Sequence, residues 1–321
     1  MKPYLLVCVV LLVTPLQSAP NRQYDFVVAQ DGSGNYTRIQ DAVDACRDFA
    51  ERRYYIRIRN GVYNGKLTIP SWKTHITLVG ENTDSTIITG NDYSGKTDAS
   101  GTTLNTFRTY TVKVAGNDNA IENVTIINSA GRVGQAVALH VEGDRCTFRH
   151  CRLIGNQDTH YAAGENSRQY YADCTIEGTT DFIFGAATAV FERCTIVSKA
   201  NSYITAASTP PTREFGFVFL QCSLLADSTA THVYLGRPWR LHAYTAFLQC
   251  TMGPHIVPEG WHNWNKPEAE KTARYYEFNS SGPGASPATR VPWSRQLSQQ
   301  EAEDLTAEAI LRGTDNWKVN Q

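Results

Sequence analysis

Short apolar runs separated by polar turns recur along the middle of the chain. Five of them follow a cysteine that has an aromatic residue three positions before it, in FRHCRLIG, YADCTIEG, FERCTIVS, FLQCSLLA and FLQCTMGP. These cysteines are 20 to 28 residues apart, and IENVTIIN places Asn123 a further 28 residues upstream of Cys151. A repeat of this length built on short β-branched strands is typical of a solenoid rather than a sandwich or a doubly wound sheet. The pattern therefore predicts an all-β fold, a parallel β-helix.

Two amphipathic segments near the ends of the chain predict helices that cover the solenoid. In TRIQDAVDACRDF, Thr37 is followed three residues later by Gln40, which is a capping-box pattern, and apolar residues then fall on one helical face. Ser298 and Glu301 repeat this pattern before a second apolar face that ends at Gly313. We expect one short helix near each end, and we see no linker that divides the chain between them.

The first residues, MKPYLLVCVVLLVTPLQSAP, have the layout of a secretory signal peptide. One lysine precedes an apolar run that is too short to span a bilayer, and small or polar residues follow it. We expect cleavage after Ser18, which leaves residues 19–321 as a single domain of a secreted, extracellular protein. We see no later segment that is apolar enough to anchor the protein in a membrane.

The stacking of a β-helix brings the repeated cysteines together. Equivalent residues of successive coils lie ~4.8 Å apart. A ladder of buried thiols explains these cysteines better than a metal site, since no C-x2-C pair is present. Loss of Cys8 with the signal leaves seven of the eight cysteines, so at least one thiol stays free. Secretion favours disulfides, and we predict one between Cys174 and Cys194, the closest pair, with Cys222 and Cys250 reduced.

Glycosylation sequons begin at Asn35, Asn123 and Asn279. Because Asn123 falls on the cysteine repeat, we expect it to be buried and unglycosylated. Intact-mass analysis with and without deglycosylation tests this expectation.

Charge and composition narrow the class of partner. The chain has 30 Lys and Arg against 31 Asp and Glu, so it has no basic excess with which to hold a nucleic acid. Hydrophobic residues make up 41% and charged residues 19%, which indicates a chain that folds rather than a disordered one. An acidic ligand would be held by a few placed residues, and neither nucleic acid nor membrane is expected as a partner.

The segment GNDYSGKT, residues 90–97, matches the P-loop pattern and follows an apolar strand. A P-loop also requires a helix that opens at Lys96, so that its amides face the phosphates. The next residues, DASGTTLNTF, form helices poorly, and we interpret the segment as a surface turn. We find no G-x-S-x-G elbow and no H-E-x-x-H motif, which removes the commonest serine-esterase and zinc-hydrolase signatures.

Two carboxylates take equivalent places on adjacent coils. Asp158 lies seven residues after Cys151, and Asp181 lies seven residues after Cys174. Stacking then places them about one strand spacing, ~5 Å, apart, where two carboxyl groups do not both ionise freely. One is expected to hold a proton, so that the pair supplies an acid together with a base or nucleophile. Amides and aromatic residues beside them, in GNQDTHYAAG and GTTDFIFG, favour a catalytic pair over two solvated turn aspartates.

At these residues the chain resembles the pectin methylesterases, carbohydrate esterases with a right-handed parallel β-helix. The matching segments are GVYNGKLTI, QAVAL, GNQDT with SRQYY, DFIFG and LGRPW, in the order of the family. They extend over most of the chain after the signal, and DFIFG with LGRPW downstream of NQDT is a specific combination. The resemblance therefore implies both the fold and an esterase activity.

Carried over position by position, the resemblance implies a role for each matching residue. Asp181 is the nucleophile, Asp158 the general acid and base, and Gln135 and Gln157 donate to the oxyanion. Arg237 pairs with Asp181 and keeps it ionised among apolar neighbours. The aromatic residues implied to line the sugar groove are Tyr161, Phe184, Trp239 and Trp261.

These roles imply hydrolysis of the C6 methyl ester of polygalacturonate through an aspartyl acyl-enzyme, with methanol as the first product. No metal or other cofactor is required by this chemistry. The implied partner is methyl-esterified pectin, proteinaceous pectinesterase inhibitors are candidate protein partners, and we expect a monomer.

The chain departs from the family pattern at three places. Gly65 stands where the G-x-Y segment usually ends in Glu, His140 stands where QAVAL is usually followed by Arg, and His160 follows NQDT where Leu is frequent. None of the three is an assigned catalytic residue. The two histidines are open to two interpretations, a shift of the pH optimum or substrate register and a histidine satisfied within the wall.

Two other classes of protein fit part of the pattern. A pectin-cleaving glycosidase or lyase on the same fold could also use paired acids, although the glutamine pair and the lack of an acidic calcium cluster count against both. A non-catalytic pectin-binding protein would keep the aromatic residues without needing the acids or Arg237. Methanol release without new reducing ends or unsaturated product would separate the esterase from all of these.

Overall fold

The computed structural model describes residues 22–319, and the predicted signal peptide of residues 1–18 lies outside them. The strands, in chain order, are β1 (Phe26–Val28), β2 (Tyr54–Ile58), β3 (Gly61–Asn64), β4 (Leu67–Ile69), β5 (Ile76–Gly80), β6 (Thr86–Gly90), β7 (Val112–Val114), β8 (Ala120–Glu122), β9 (Thr125–Asn128), β10 (Leu139–Val141), β11 (Cys146–Arg149), β12 (Arg152–Ile154), β13 (His160–Ala162), β14 (Arg168–Ala172), β15 (Thr175–Gly178), β16 (Ile183–Gly185), β17 (Thr188–Glu192), β18 (Thr195–Ser198), β19 (Tyr203–Ala207), β20 (Phe217–Leu220), β21 (Ser223–Ala226), β22 (Tyr234–Gly236), β23 (Tyr244–Leu248), β24 (Thr251–Met252), β25 (Arg274–Phe278) and β26 (Arg295–Gln296). The helices are α1 (Ile39–Ala45), α2 (Gln299–Glu303) and α3 (Ala307–Leu311), with 3-10 turns at Thr106–Arg108, Pro267–Lys271 and Pro287–Thr289.

The strands form three parallel sheets. Sheet A has eleven strands in the order β1-β2-β5-β8-β11-β14-β17-β20-β23-β25-β26, sheet B has eight in the order β24-β21-β18-β15-β12-β9-β6-β3, and sheet C has seven in the order β22-β19-β16-β13-β10-β7-β4. From β4 to β24 the chain visits sheets C, A and B in the same order on every coil. This is the parallel β-helix that the cysteine repeat predicts, and the prediction is confirmed.

The cysteine repeat forms a ladder at the corner between sheets A and B. Register pairs such as Thr175 with Thr195, and Thr195 with Ser223, align the preceding cysteines on successive coils. The five ladder cysteines, each buried, are Cys151, Cys174, Cys194, Cys222 and Cys250. The aromatic residues three positions earlier are also stacked, with ring centroids 4.4–4.8 Å apart, and they are Phe148, Tyr171, Phe191, Phe219 and Phe247. Each aromatic pair adds about 0.5–1.5 kcal/mol beyond its buried area.

The register also corrects the expectation for Asn123. Thr125 pairs with Arg152, so Val124 and not Asn123 occupies the ladder position opposite Cys151. Asn123 is half-buried and has a φ of 56°, and the residues before the ladder cysteines share this left-handed conformation, among them His150 with a φ of 51°. Asparagine tolerates that conformation well. The sequon at Asn123 therefore lies at the corner of a coil rather than inside the core.

The predicted disulfide is wrong in this structure, where all seven cysteines of residues 22–319 are free thiols. The Sγ of Cys174 donates to the carbonyl of Phe148 at 3.5 Å, and that of Cys194 donates to the carbonyl of Tyr171 at 3.5 Å. Because in-register side chains of parallel strands project in the same direction, the stacked sulfurs lie side by side as free thiols, and each donates to backbone carbonyls. Cys222 and Cys250 are free, as predicted.

The two ends of the solenoid differ from the predicted caps in detail. Helix α1 is present, but its N-cap is Arg38 and makes no side-chain cap bond. Gln40 instead holds the backbone of Thr68, accepting from its N–H at 2.9 Å and donating to its carbonyl at 3.0 Å. At the other end the capping box of Ser298 and Glu301 is confirmed.

The second predicted helix is divided into α2 and α3. Helix α2 ends before Asp304, and Thr306 starts α3 by accepting from the N–H of Ala309. Ile310 and Leu311 of α3 pack on the outer face of sheet A. Among residues 22–319, no helix is long and apolar enough to cross a membrane.

The P-loop-like segment is a surface turn, as interpreted from the sequence. Gly90 ends β6, and Lys96 pairs with Asp92 at 2.8 Å instead of opening a helix. Thr97 then forms an antiparallel bridge with Thr103. The loop continues to Phe107, which is 42% exposed and lies over the outer face of sheet C.

Candidate active site

The outer face of sheet C forms a groove. Alternate residues of its strands stack in register, in the order Lys113, His140, Tyr161, Phe184 and Ala206. Their neighbours, such as Leu139 and Ile183, point into the solenoid core. We call this outward column the groove column; it continues at Arg237, which follows β22 and aligns with Ala206. The site described below lies along this column and in the turns and loops at its edge.

Asp158 and Asp181 lie at one edge of the groove column, in the turns that enter β13 and β16. His160 pairs with Ile183, so the same register aligns the two aspartates on adjacent coils, as predicted. Their φ values are 62° and 49°, a left-handed conformation that aspartate tolerates better than most residues. Gly178 makes the second turn tight, since a Cβ there would lie 2.2 Å from the Cβ of Phe182. The two side chains are brought together at the groove wall, 8% and 5% exposed.

Arg237 binds Asp181 in a bidentate pair. Its Nε donates to Oδ1 at 2.9 Å and its Nη2 donates to Oδ2 at 2.7 Å. The guanidinium lies over the rings of Tyr203 and Trp264, at 3.9 and 3.6 Å from their centroids. Two aromatic faces and two charge-assisted hydrogen bonds therefore fix the position of this cation.

Burial and neighbouring charges give the two carboxyl groups different pKa values. Burial, with a smaller contribution from the neighbouring charge of Asp181, raises the pKa of Asp158 to about 8 against the opposing charge of Arg237. Burial also raises the pKa of Asp181, against the hydrogen bond and charge of Arg237. Arg237 thus limits the rise in the pKa of Asp181 among its apolar neighbours. Asp158 holds a proton at neutral pH, and the ionised form of Asp181 is the one that Arg237 stabilises.

Gln135 and Gln157 lie beside the aspartates on neighbouring coils. They pair through a parallel bridge, and the carbonyl of Gln157 accepts from the N–H of Ala136 at 3.1 Å. Because that backbone is committed to the coil-to-coil ladder, the side-chain amides are the donors left for a ligand. Both glutamines line a cavity of about 240 Å³ with the two aspartates, Arg237, Phe184 and Trp239. The structure therefore brings all five predicted polar residues into one cavity.

Three of the four predicted aromatic residues line the groove. Tyr161 stacks on Phe184 with centroids 4.6 Å apart, and Phe184 contacts Trp239 at 5.9 Å. Trp261 was predicted wrongly, since it is 1% exposed and stacks on Tyr275 inside the solenoid at 4.2 Å.

The register explains the position of Trp261. It pairs with Gly236, which belongs to the inward column of Ile183 and Thr205. Trp264, three residues further on, takes the place at the groove through its contact with Arg237.

The two histidines occupy opposite faces of sheet C. His160 points inward, is buried, and lies with Nδ1 3.2 Å from the carbonyl of Leu139. Burial lowers its pKa to about 3, so it stays neutral and is part of the core. His140 belongs to the groove column, with Nε2 3.0 Å from Oε1 of Glu142. Sequence reasoning also missed Phe107 and Thr106, which reach the cavity from a long loop that has no repeat pattern.

The chain is similar to known proteins along most of its length. The family described as Pectinesterase matches residues 25–314. Pectinesterase 31 of Arabidopsis thaliana is 40% identical over 281 residues, which cover 86% of this chain and 88% of that protein. The chain spans about half the length of relatives whose names join a pectinesterase to a pectinesterase inhibitor, such as PPE8B of Prunus persica at 54%.

Solved structures resemble the whole described solenoid. The structure of a pectin methylesterase from carrot matches with a TM-score of 0.85 at 32% identity and covers 92% of this chain and 96% of its own. A pectin methylesterase in complex with a hexasaccharide matches with a TM-score of 0.80 at 27% identity, covering 92% of this chain and 98% of its own.

Proposed function

The chain belongs to the pectinesterase family, and we propose that its paired aspartates hydrolyse the methyl esters of pectin through a covalent acyl-enzyme. The observation that carries the proposal is the asymmetry of the pair: Arg237 holds Asp181 in a bidentate salt bridge, whereas burial and the charge of Asp181 raise the pKa of Asp158 and favour its protonated form. A carboxylate that must attack and a carboxylic acid that must donate are thus present on adjacent coils.

In the first half of the reaction, a carboxylate oxygen of Asp181 attacks the ester carbonyl at C6 of a galacturonate unit. The carbonyl oxygen takes up the negative charge, and the side-chain amides of Gln135 and Gln157 donate hydrogen bonds to it. The bond to the methoxy oxygen then breaks while Asp158 gives its proton to that oxygen. Methanol leaves, and an anhydride joins Asp181 to the sugar.

In the second half of the reaction, water hydrolyses the anhydride. Asp158 is now ionised and takes a proton from a water molecule, whose oxygen attacks the acyl carbon. The same two amides stabilise the oxyanion, and the carboxylate of Asp181 departs toward Arg237. Asp158 has regained its proton and the product is a free galacturonate, so the cycle balances without a cofactor.

The aromatic residues of the groove suit a pyranose chain. The stacked rings of Tyr161 and Phe184, with Trp239 and Trp264 beyond them, offer flat apolar faces on both sides of the aspartates. Sugar rings stack on such faces while their hydroxyl groups point to water. Support comes from the similar pectin methylesterase whose structure contains a hexasaccharide.

We also propose that the enzyme acts outside the cell. The support is the charged start, the short apolar run and the small residues before Ser18 in the sequence. N-terminal sequencing of the secreted product should read Ala19 as the first residue of the mature chain. A start at Met1 in the extracellular fraction would contradict this cleavage.

The proposed activity is tested by assaying the purified protein on methyl-esterified pectin. We expect methanol release without new reducing ends or unsaturated product, and we expect Asp181→Ala to abolish it. Asp304→Asn, an exposed aspartate after α2, is a matched control that should leave the rate unchanged. Cleavage of the chain without methanol would contradict an esterase.

The roles of the two acids are separated with an activated ester. A nitrophenyl ester needs no protonation of its leaving group, so Asp158→Ala should still acylate and release nitrophenol in a single burst. Asp181→Ala should show no burst. Acylation by the Asp181 variant and none by the Asp158 variant would reverse the assignment.

A further inference from the structure

Trp264 covers Arg237 from a loop whose backbone is strained at that point. The φ of Trp264 is 58° and that of Asn265 is 54°, so two consecutive residues with side chains adopt the left-handed conformation. A bulky residue keeps this conformation only where its surroundings impose it. The contacts that impose it therefore also decide whether the centroid of the Trp264 ring stays 3.6 Å from the guanidinium carbon of Arg237.

His262 supplies one of these contacts through its imidazole. The backbone N–H of Trp264 donates to Nδ1 of His262 at 2.9 Å. His262 is itself fixed to sheet C, since its own N–H donates to the carbonyl of Gly236 at 3.1 Å. Gly236 ends β22 and directly precedes Arg237, so the contact joins the loop to the strand that leads to the cation.

The imidazole also packs on the second aromatic residue that covers Arg237. Its ring centroid lies 5.4 Å from that of Tyr203 and 5.4 Å from that of Tyr234. Tyr203 is the other ring on the guanidinium, with its centroid at 3.9 Å. His262 thus contacts both residues that cover Arg237, Trp264 through a hydrogen bond and Tyr203 through ring packing.

The hydrogen bond from Trp264 fixes the protonation state of His262. A backbone N–H can only donate, so Nδ1 must present its lone pair, and the neutral ring then has its proton on Nε2. Protonation of Nδ1 would remove this acceptor and set two donors against each other. The contact with Trp264 therefore exists only in the neutral form of His262.

The groups around His262 favour that neutral form near pH 7. Burial and the positive charge of Arg237 lower the pKa of His262. The neutral rings of Tyr203 and Tyr234 face the imidazole, and Lys266, whose Nζ lies 4.8 Å from the centroid of the Trp264 ring, adds a second cation to the surroundings. Protonation of His262 is therefore opposed at neutral pH and requires acidification.

The rest of the loop is held independently of the imidazole. The Nζ of Lys266 donates to the carbonyl of Trp239 at 3.1 Å. The Oδ1 of Asn263 accepts from the N–H of Asn265 at 2.9 Å, and its Nδ2 donates to Glu270 at 2.6 Å. Loss of the His262 contact should therefore move Trp264 without unfolding the loop.

We propose that His262 is a positioning residue of the active site: its neutral imidazole holds Trp264 over Arg237, and protonation of the imidazole releases the ring. The inference rests on the proposed esterase function and adds a pH-dependent control of its groove. On acidification the enzyme loses one face for the sugar chain and one of the two rings over Arg237. Substrate affinity therefore falls at acidic pH, separately from the protonation of Asp181.

The first test removes the acceptor and keeps a ring at position 262. His262→Phe can still pack on Tyr203 and Tyr234 but cannot accept from the N–H of Trp264. At pH 7 we expect it to raise KM by about three- to ten-fold, the effect of losing the Trp264 face. The change in kcat should be smaller, because Arg237 still has its own bonds to the nucleophile.

The rescue variant is His262→Asn. An asparagine oxygen accepts from the N–H two residues later, as Asn263 already does for Asn265. His262→Asn should therefore keep KM close to the wild-type value at pH 7. A KM raised as much by His262→Asn as by His262→Phe would overturn the role of the acceptor.

A double-mutant cycle separates positioning from a general loss of structure. His262→Phe should have no further effect on KM in a Trp264→Ala background, since the ring that it positions is gone. His232→Phe is the matched control, because His232 is exposed and its ring also contacts Tyr234, at 5.5 Å. It should leave KM unchanged. Equal effects of His262→Phe with and without Trp264 would overturn the proposal.

The pH dependence is compared between the wild type and His262→Asn, which have the same Asp181. As the pH falls from about 7 to about 5, the wild-type KM should rise relative to that of His262→Asn, whose acceptor does not titrate in this range. Identical KM profiles would overturn release by protonation.

A spectroscopic titration keeps this inference separate from the activity. In NMR spectra, the indole Nε1–H signal of Trp264 is assigned by its absence from Trp264→Phe, and the Cε1–H signal of His262 by its absence from His262→Asn. We expect both signals to shift with one midpoint below pH 6.5 in the wild type, and the Trp264 signal to stay constant in His262→Asn. A Trp264 signal that titrates equally in His262→Asn would overturn the proposal. Absence of methanol release by the wild type would overturn the proposed function, and the titration would still decide the role of His262.

Discussion

The Arg290–Glu277 pair and the Arg237–Asp181 pair have the same bidentate geometry in different surroundings. Arg290 donates to Glu277 at 2.9 and 3.1 Å and also to the carbonyls of Val257 and Gly284, and both side chains are less than 5% exposed. Glu277 accepts a further bond from Trp261. The protein surrounds this pair on every side, so its hydrogen bonds and charges stabilise the contacts between the last coils.

The Arg237–Asp181 pair is covered by Tyr203 and Trp264 but remains open to the cavity of the groove. The Arg237 side chain is 17% exposed and lines the cavity of the groove, and a second carboxyl group, Asp158, lies on the adjacent coil. Because this pair is accessible from the groove and lies beside a second carboxyl group, its charged groups can interact directly with a substrate. Accessibility, rather than the strength of the pair, therefore distinguishes the site from a structural salt bridge.

The largest effect should follow from opening the closed pair. Arg290→Gln leaves the carboxylate of Glu277 buried without its cation, which costs about 3–5 kcal/mol of unfolding free energy. The folded fraction should keep its kcat, since the pair lies away from the groove. Chemical denaturation with parallel methanol assays measures both, and a normal stability with a reduced kcat would contradict the comparison.

Removing the cation of the pair in the groove should lower the rate of the folded enzyme itself. Arg237→Gln should lower kcat by about 10²–10³-fold, the range found when one stabilising donor of an active site is lost. Without Arg237, burial raises the pKa of Asp181 unopposed, so the acidic limb of the pH profile should move to higher pH. An equal fall in rate at every pH would contradict this account of Arg237.

The ionisation of Asp158 should determine the alkaline limb of the pH–activity profile. Activity should fall above about pH 8, by about ten-fold per pH unit, because the acid that protonates methanol is lost as Asp158 ionises. Since the folded-state pKa is raised above the unfolded value, Asp158 favours folding fully below pH ~4, and that contribution is lost as pH rises toward 8.

Asp158→Asn should accordingly remove both pH dependences at once. It should lose activity but raise the Tm at pH 8 by roughly 2–4 °C, the shift produced by about 1 kcal/mol in a domain of this size. Calorimetry at pH 5 and pH 8 checks the sign. A variant that is less stable than the wild type at pH 8 would contradict a buried, strained carboxyl group.

The smallest effects should separate the two tryptophans. Trp264→Ala should raise KM about three- to ten-fold through the loss of one aromatic face in the groove. Trp261→Phe should leave KM unchanged but lower stability, since it removes the Nε1–H bond to Glu277 and part of the stack on Tyr275. Matching KM values for the two variants would contradict their assignment to opposite faces of the fold.

Register explains why so much of the site was predictable from the sequence. A solenoid converts spacing along the chain into stacking. Asp158 and Asp181 each follow a ladder cysteine by seven residues, and this common offset predicted that they stack. The aromatic column and the groove residues Tyr161 and Phe184 follow from the same rule. The offset at Asn123 arose because coils differ by several residues in length, and a fixed step of 28 does not reproduce a step of 27 to Val124.

The remaining features depend on segments without a repeat. Trp264 and Phe107 reach the site from loops whose paths are set by contacts with distant residues, which spacing alone does not encode. The disulfide prediction used the distance between coils but not the common direction of the side chains. At the first helix, Gln40 binds Thr68 rather than its own helix start, a tertiary contact that overrides the local capping pattern.

The ladder of free thiols provides natural probes of the order in which the coils unfold. From Cys151 to Cys250 each coil contributes one buried sulfur, inert to alkylating reagents while that coil is closed. A repeat protein whose coils contact only their neighbours can lose coils one at a time from an end. Under mild denaturant, the sequence in which the five sulfurs become labelled would then report the direction of unzipping, coil by coil, without any engineered probe.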